Sequence, residues 1–160
     1  MALKIGKSIL NGPKTKLLVL PREEGDLVFK FVAVTDDTEF DVLCPEPTPP
    51  RITKVGEGTV EDTANPKYLE QLAEHNSKRM AWYLLQSIKP SEIEWQTVVM
   101  TDHNTWLNWR KELTDAGLSK REQDAVFVAF MDTNTVNEAM VEEARKRFLA
   151  SQQELQSEKQ

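Results

Sequence analysis

The sequence predicts a mixed α+β fold: a small N-terminal β-hairpin or sheet, a proline-rich strap, and then a mainly helical bundle of about four helices. Three observations support this. Strand-like runs lie near the N-terminus, the stretch LCPEPTPPR at 43–51 contains four prolines, and the apolar spacing becomes helical after residue 64. We expect a β-rich part at 1–64, a helical part at 65–150 and a frayed polar tail at 151–160, all in one folded unit.

The β-rich part contains one clear hairpin pattern. KLLVL at 16–20 and LVFKFVAVT at 27–35 are β-prone, and PREEGD between them supplies a turn in which Gly25 can take a positive φ. The second run has little polar alternation, so we expect both of its faces to be covered. DDTEFDVL at 36–43 predicts one or two helical turns capped by Thr35 or Asp36. Residues 52–64 predict an edge strand or a loop with a Gly-x-Gly turn.

The strap at 43–51 excludes both a helix and a central strand, because proline lacks a backbone N–H group and restricts the residue before it. An extended, semi-rigid segment that fixes the β-rich part against the helices is the favoured interpretation. Cys44, the single cysteine of the chain, lies at its start. A free cysteine in this setting is predicted to be a small buried apolar residue, although a base that the fold brings close to it stays an alternative.

The helical part opens with Asn65 as N-cap and Pro66 in the first turn, and Pro90 ends this helix. Asp102 is predicted to cap a helix over 103–116, and Gly117 to end it. Trp95 lies beside a short β-prone run before that helix. SerLysArgGlu at 119–122 predicts a capping box for the next helix, and a last amphipathic helix begins at about 137. The first helix should bury one apolar face and leave His75, Lys78 and Arg79 elsewhere; that face comprises Leu69, Leu72, Met80, Tyr83, Leu84 and Ile88.

Composition narrows the function classes. The net charge of −6 is shared by both halves, with 8 basic and 11 acidic residues in 1–64 and 12 and 15 in 65–160, so neither half carries the positive field that nucleic acid requires. No apolar run approaches the ~20 residues of a membrane span, and the first 20 residues lack the apolar centre of a signal peptide. We expect a soluble intracellular protein.

No catalytic, cofactor or metal site is predicted, and we expect a protein that is not an enzyme. GKS at 6–8 lacks the first glycine and the preceding strand of a phosphate-binding loop. A calcium loop counted from Asp37 would place Val42 and Thr48 where glycine and glutamate are needed. His75 and His103 have no second ligand at helical spacing. A flexible start and solvated acidic side chains are the favoured interpretations.

The helical part suggests two alternative binding functions, DNA binding by a helix-turn-helix and protein binding by an aromatic patch. The stretch from 106 to 130 has the layout of a helix-turn-helix, with Lys120, Arg121 and Gln123 at the start of its second helix. Residues 101–135 nevertheless carry four basic and six acidic groups, which disfavours DNA binding. An aromatic patch that takes an amphipathic helix is the preferred hypothesis, although tryptophan at helical spacing commonly packs in a core. The predicted partner-binding residues are Trp95, Trp106, Trp109, Phe127, Phe130 and Met131.

Several stretches together resemble the tail assembly chaperones of long-tailed bacteriophages. They are FVAVTDDTEFDVLCPEPTPP, YLEQLAEHNSKRMAWYLLQSI, EIEWQTVVMTDHNTWLNWRKELTDAGLSKRE and VNEAMVEEARKRFLA, which fall in that order over roughly 20–150. The most specific pieces are the Cys-Pro-Glu-Pro-x-Pro-Pro strap and the block from Glu-x-Glu-Trp through Trp-x-Asn-Trp to Leu-x-x-Ala-Gly-Leu-Ser. Neither piece builds a chemical site.

The resemblance implies a protein without catalytic activity that binds the phage tape measure protein, helps to recruit tail-tube subunits, and is absent from the mature virion. It implies no cofactor, and action in the host bacterial cytoplasm. In many such phages a translational frameshift appends a second domain, of which this sequence shows no sign. A structural virion protein of the tail, neck or baseplate is the first alternative, and a helix-turn-helix DNA-binding regulator is the second.

Overall fold

Three separate two-stranded antiparallel hairpins form the strands of the computed structural model, which describes residues 2–159. Within those residues no further strand joins them into a larger sheet. The mixed α+β class is confirmed, but the β-rich part holds three small sheets. Their strands are β1 (Leu3–Ile5) with β2 (Ser8–Leu10), β3 (Thr15–Leu20) with β4 (Leu27–Val32), and β5 (Arg51–Lys54) with β6 (Gly58–Glu61).

Helices make up most of the remaining structure. They are α1 (Thr38–Leu43), α2 (Pro66–Ser87), α3 (Trp109–Asp115), α4 (Lys120–Asn134) and α5 (Glu138–Glu158), with 3₁₀ turns at Lys89–Ser91 and His103–Asn108. The helix expected over 103–116 therefore begins as a 3₁₀ segment and becomes α-helical at Trp109. The tail at 151–160 was expected to fray, which is wrong for its described part because α5 continues to Glu158.

Most of the predicted helix ends are confirmed by their hydrogen bonds. The Asn65 side chain accepts from the backbone N–H groups of Lys67 and Tyr68, and Ser119 with Glu122 forms a full capping box. Gly117 has φ 104° after α3, a value that favours glycine. The cap of α1 differs, because Asp37 occupies the N-cap position without a side-chain bond. The Asp36 carboxylate accepts instead from the N–H group of Thr38.

The first hairpin corrects the expected flexible start. Gly6 lies in its turn with φ 60°, and Leu3 pairs with Leu10 across the strands. Both strands are exposed along their full length. The GKS stretch is therefore part of a β-turn, and glycine is suited to the positive φ that this turn uses.

The β3–β4 hairpin packs one face on the helices and leaves the other open. Leu20, Phe29 and Phe31 are buried on the inner face, whereas Leu17 is 64% and Val28 48% exposed on the outer face. The expectation that both faces of the 27–35 run are covered is wrong. A two-stranded hairpin is marginal by itself, so one buried face on a helical layer is enough to hold it.

Polar contacts fix this hairpin to the helices at several points. Ser87 donates from its hydroxyl to the Val32 carbonyl at 2.7 Å, and the Asn134 amide donates to the Ser87 hydroxyl at 3.0 Å. The side-chain amide oxygen of Asn134 also accepts from the backbone N–H group of Val34 at 2.9 Å. At the other end of the hairpin, Arg22 and Glu122 form a two-pronged ion pair. The register of the hairpin against α2 and α4 is thereby set.

The core is centred on Phe40 of α1, which is fully buried. Its ring lies 5.8 Å from Trp82 and 5.9 Å from Trp106, measured between centroids, and 5.2 Å from the ring of His75. The Trp106 indole N–H group donates to the Met100 carbonyl. These contacts join α1, α2 and the 3₁₀ segment at 103–108.

The buried face of α2 differs from the predicted one. Leu69 and Met80 were expected inside and are 49% and 43% exposed, while His75 and Lys78 were expected outside and are buried. His75 Nε2 lies 3.1 Å from the Cys44 carbonyl oxygen, which fixes this part of α2 against the end of α1. Which residues of α2 are buried depends on where other elements pack against the helix, and apolar spacing alone does not reveal those places.

The strap contacts the helices near its start, at Cys44. Cys44 is 4% exposed, whereas residues 45–50 are exposed or half-buried. The Pro50 carbonyl accepts from the N–H group of Asp62, which closes the base of the β5–β6 hairpin. None of the helices in the described residues has an apolar stretch long enough to cross a membrane.

The connector before the 3₁₀ segment at 103–108 is a loop held by Glu112, where a short β-prone run was predicted. The Glu112 carboxylate accepts from the N–H groups of Gln96, Thr97 and Val98 at 2.6, 3.2 and 3.0 Å. Burial would raise the pKa of this carboxyl group. The hydrogen bonds outweigh burial and hold its pKa below the ordinary value of 4.5.

The Glu112→Gln substitution is expected to lower the free energy of unfolding by about 1–3 kcal/mol. The reason is that a neutral amide cannot replace the charge-assisted hydrogen bonds that the carboxylate accepts from three backbone N–H groups. Urea unfolding followed by circular dichroism measures the change. Asp115→Asn is the matched control, since it removes the same charge from an exposed ion pair with Lys111 in α3. Equal losses in the two variants would contradict the role of Glu112.

Wild-type protein should lose part of its stability as the pH falls below about 4.5. Because the pKa of Glu112 is lower in the folded than in the unfolded chain, the contribution is complete above the unfolded pKa. It declines as the pH falls toward the folded pKa. Urea unfolding of wild type and Glu112→Gln at about pH 7 and about pH 3 should show a smaller difference at the lower pH. An unchanged difference would refute the assignment.

Candidate functional site

The structure divides the six predicted partner-binding residues between core and surface. Trp106 is fully buried, and Trp109 and Phe130 are 6% and 2% exposed. Trp95, Phe127 and Met131 are half-buried. Trp106 and Phe130 therefore offer almost no surface for direct binding, because these side chains already fill the monomer core.

A groove between the helices uses two of the predicted residues. The helical groove, as we call it, has a volume of about 260 Å³ and is lined by residues of α2, the 3₁₀ segment at 103–108, α3 and α4. Ser77, Ala81 and Leu84 run along α2 at helical spacing, and small side chains at two of these positions leave the groove open. The remaining lining residues are Met80, Leu107, Trp109, Arg110 and Phe127.

The rims of the helical groove are apolar and accessible. Met80 is 43% and Leu107 46% exposed, and half-buried Phe127 also lines the groove. Methionine adapts its shape to different apolar partners, so a rim of this composition suits an apolar helix stripe. The groove is open along the surface and shallow, and this favours a polypeptide over a small enclosed ligand.

Arg110 supplies the one cation in the groove lining. Its guanidinium carbon lies 5.1 Å from the Trp109 ring centroid and 5.9 Å from that of Phe127. Its terminal nitrogen also lies 3.6 Å from an Asp124 carboxylate oxygen, with both side chains about half exposed. The guanidinium therefore covers two aromatic rings while it remains in reach of an acidic group on a partner.

Trp95 and Met131 lie outside the helical groove. Trp95 lines a separate cleft with Ile93, Glu112 and Ala116. Phe127 and Phe130 are adjacent, with ring centroids 5.8 Å apart, but they point to different environments, one half-buried and one in the core. The predicted six residues thus do not form one patch.

Sequence reasoning missed the two rim residues. Met80 was assigned to the buried face of α2, and Leu107 was not singled out because it stands between Trp106 and Trp109 in a helical pattern. Leu107 lies in the segment at 103–108, where a 3₁₀ helix replaces the expected α-helix, and its side chain is 46% exposed. No feature of the sequence announces that change, although Asp102 correctly marks where the segment begins.

The structure removes a key base-reading residue from the helix-turn-helix hypothesis. Gln123 is 6% exposed, and its amide donates to the Thr114 hydroxyl and to the Leu118 carbonyl. Glu122 beside it carries a pKa of about 2, caused first by its bond to Arg22 and then by the Ser119 N–H group. Gln123 and Glu122 at the start of α4 are thus committed to internal contacts, while Lys120 and Arg121 remain exposed.

Cys44 and a group of polar side chains around Lys78 lie near the core. Burial raises the pKa of the Cys44 thiol, and nearby Lys78 and Arg79 only partly oppose this. Lys78 Nζ lies 3.0 Å from His103 Nδ1 and 3.2 Å from a Glu74 oxygen. In the described part of the chain, no three His, Cys, Asp or Glu side chains come together to hold a metal ion.

No family model, no curated protein and no solved structure matches this chain.

Trp106→Ala is expected to lower the free energy of unfolding by about 3–5 kcal/mol, because it empties the centre of the core. Trp95→Ala, at a half-buried position, should lower the free energy of unfolding by clearly less. Urea unfolding followed by far-ultraviolet circular dichroism gives both values. A stable Trp106→Ala variant with an unchanged unfolding midpoint would show that the residue is not the core element described above.

Proposed function

We propose that the protein is a phage tail assembly chaperone without catalytic activity, which holds the tape measure protein soluble in the host bacterial cytoplasm. In this role it also helps to recruit tail-tube subunits and leaves before the virion is complete. The observation that carries the proposal is the helical groove, whose accessible Met80 and Leu107 rims border half-buried Phe127. The resemblance described above supplies the identity of the client.

The groove suits a helical client with an apolar stripe. Such a helix places side chains at i, i+3 or i+4, and i+7 along one face, and these can lie between the rims of the groove. Burying the exposed parts of Met80 and Leu107 supplies the apolar contribution to binding. Arg110 at the groove edge can pair with an acidic residue beside the client's stripe.

The charge of the chain suits the same role. With a net charge of −6, this chain adds negative charge to the complex while apolar surfaces are being covered. A client with long uncovered apolar stripes aggregates, so a charged carrier that covers part of each stripe keeps it soluble. Transient holding needs only modest affinity, which a groove of this size can supply.

The double variant Met80→Lys, Leu107→Lys should weaken capture of a co-expressed tape measure fragment by about tenfold or more, because two charges would enter an apolar interface. Leu69→Lys is the matched control. Leu69 is 49% exposed on the same side of α2, about 16 Å from Met80 along the helix axis. Pull-down and isothermal titration with purified fragment give the affinities, and circular dichroism confirms that each variant is folded.

Equal capture by wild type and the double variant would place the client-binding site outside the helical groove.

Mass spectrometry of purified phage particles distinguishes a chaperone from a structural protein of the virion. A chaperone is absent from them, whereas a tail, neck or baseplate subunit appears at a fixed ratio to the other virion proteins. Its presence at a fixed ratio would refute the proposed function.

A further inference from the structure

Helix α5 exposes its whole surface. Every residue from 141 to 159 is exposed, and within α5 only Met140 is half-buried. The helix has 21 residues, so it extends for about 31 Å. Its sequence is rich in strong helix formers, and the Asn137 side chain caps it by accepting from the Met140 N–H group. Propensity and capping explain why α5 is helical, but they do not explain its apolar stripe.

The stripe repeats every seven residues. Val141, Phe148 and Leu155 occupy one heptad position and are 53%, 60% and 49% exposed. Ala144 and Ser151 occupy the second position, three residues after Val141 and Phe148, and Glu158 takes that position at the last residue of the helix. This is the a and d spacing by which two helices pack together, and here it alternates large with small side chains.

We propose that α5 pairs in antiparallel orientation with α5 of a second copy of this chain. In that orientation an a residue faces a d residue of the other copy. Phe148 then lies opposite Ser151, and Leu155 opposite Ala144, so these two large side chains each meet a small one. In the same register Val141 lies opposite Glu158 at the end of the helix. In a parallel pair Phe148 would meet Phe148, and the small layers at Ala144 and Ser151 would leave gaps.

The charges beside the stripe support the same orientation. Arg147 and Glu154 flank the stripe on one side, seven residues apart. Among the described residues neither forms an ion pair. In the antiparallel arrangement Arg147 of each copy lies beside Glu154 of the other, giving two complementary pairs. In a parallel arrangement Arg147 would instead face the neutral Gln152.

The opposite side of α5 is mostly polar, with Leu149 as its one large apolar side chain, and remains in water in this arrangement. Glu142, Lys146 and Gln153 lie away from the stripe, and Glu142 accepts from Arg145 within the same helix at 3.5 Å. Pairing therefore buries the central part of the apolar stripe, and the one charged side chain at a stripe position, Glu158, belongs to the last residue of the helix. None of the residues that line the helical groove belongs to α5, so the self-association proposed here does not depend on the proposed client.

Sedimentation velocity of the full chain over a range of concentrations tests the pairing. Wild type is expected to show a monomer–dimer equilibrium. Phe148→Glu should raise the dimer dissociation constant by about tenfold or more, because it places a charge in the central layer. Gln153→Glu is the matched control, as it adds the same charge to the polar side of the same helix, and should change the constant by less than about threefold.

Charge reversal tests the orientation. Arg147→Glu alone and Glu154→Arg alone should each weaken self-association, because each creates a like-charge pair. A mixture of the two single variants should form heterodimers, and the double variant should again form homodimers, since both restore opposite charges in the antiparallel register. Helical circular dichroism of each monomer checks that α5 remains folded.

Three results would overturn the proposal. Wild type could sediment as a monomer at every concentration, or Phe148→Glu and Gln153→Glu could behave alike. The charge-reversed variants could also fail to recover on mixing. If wild type is monomeric and Phe148→Glu nevertheless loses the tape measure fragment, the stripe serves the client and self-pairing is refuted.

Discussion

The packing of Phe40 against Trp82 and Trp106 is the interaction on which the rest of the structure depends. It joins α1, α2 and the 3₁₀ segment at 103–108, and the two tryptophans are among the largest fully buried side chains. Because these rings are used inside the monomer, partner binding is left to residues at the edge of the core. The helical groove is such an edge, where Trp109 is nearly buried and Met80 and Leu107 remain accessible.

Local chemistry made much of the fold predictable. Asn65, Asp102 and Ser119 mark helix starts through bonds that each side chain makes with backbone N–H groups one turn away or less. The β3–β4 hairpin follows from two β-prone runs and a turn. These features are settled within a few residues along the chain, and for that reason a single sequence is enough to recognise them.

Burial was less predictable, because it depends on neighbours that are distant in sequence. His75 is buried by its contact with Cys44, 31 residues away, and Lys78 by His103, 25 residues away. The outer face of the β3–β4 hairpin is open because no second sheet or helix lies there in the described residues. The same dependence on distant neighbours limited the prediction of the candidate site. The aromatic pattern identified Trp109 and Phe127 but could not separate them from core residues such as Trp106 and Phe130.

Because Cys44 is buried where α1 meets the strap, chemical labelling of its thiol reports on local opening of that junction. The thiol is nearly inaccessible, its deprotonation is suppressed by burial, and no other cysteine competes with it. An alkylating reagent therefore acts mainly on molecules in which the junction between α1 and the strap has opened. The rate of labelling in native buffer measures how often that junction opens, a quantity that bulk unfolding curves do not give.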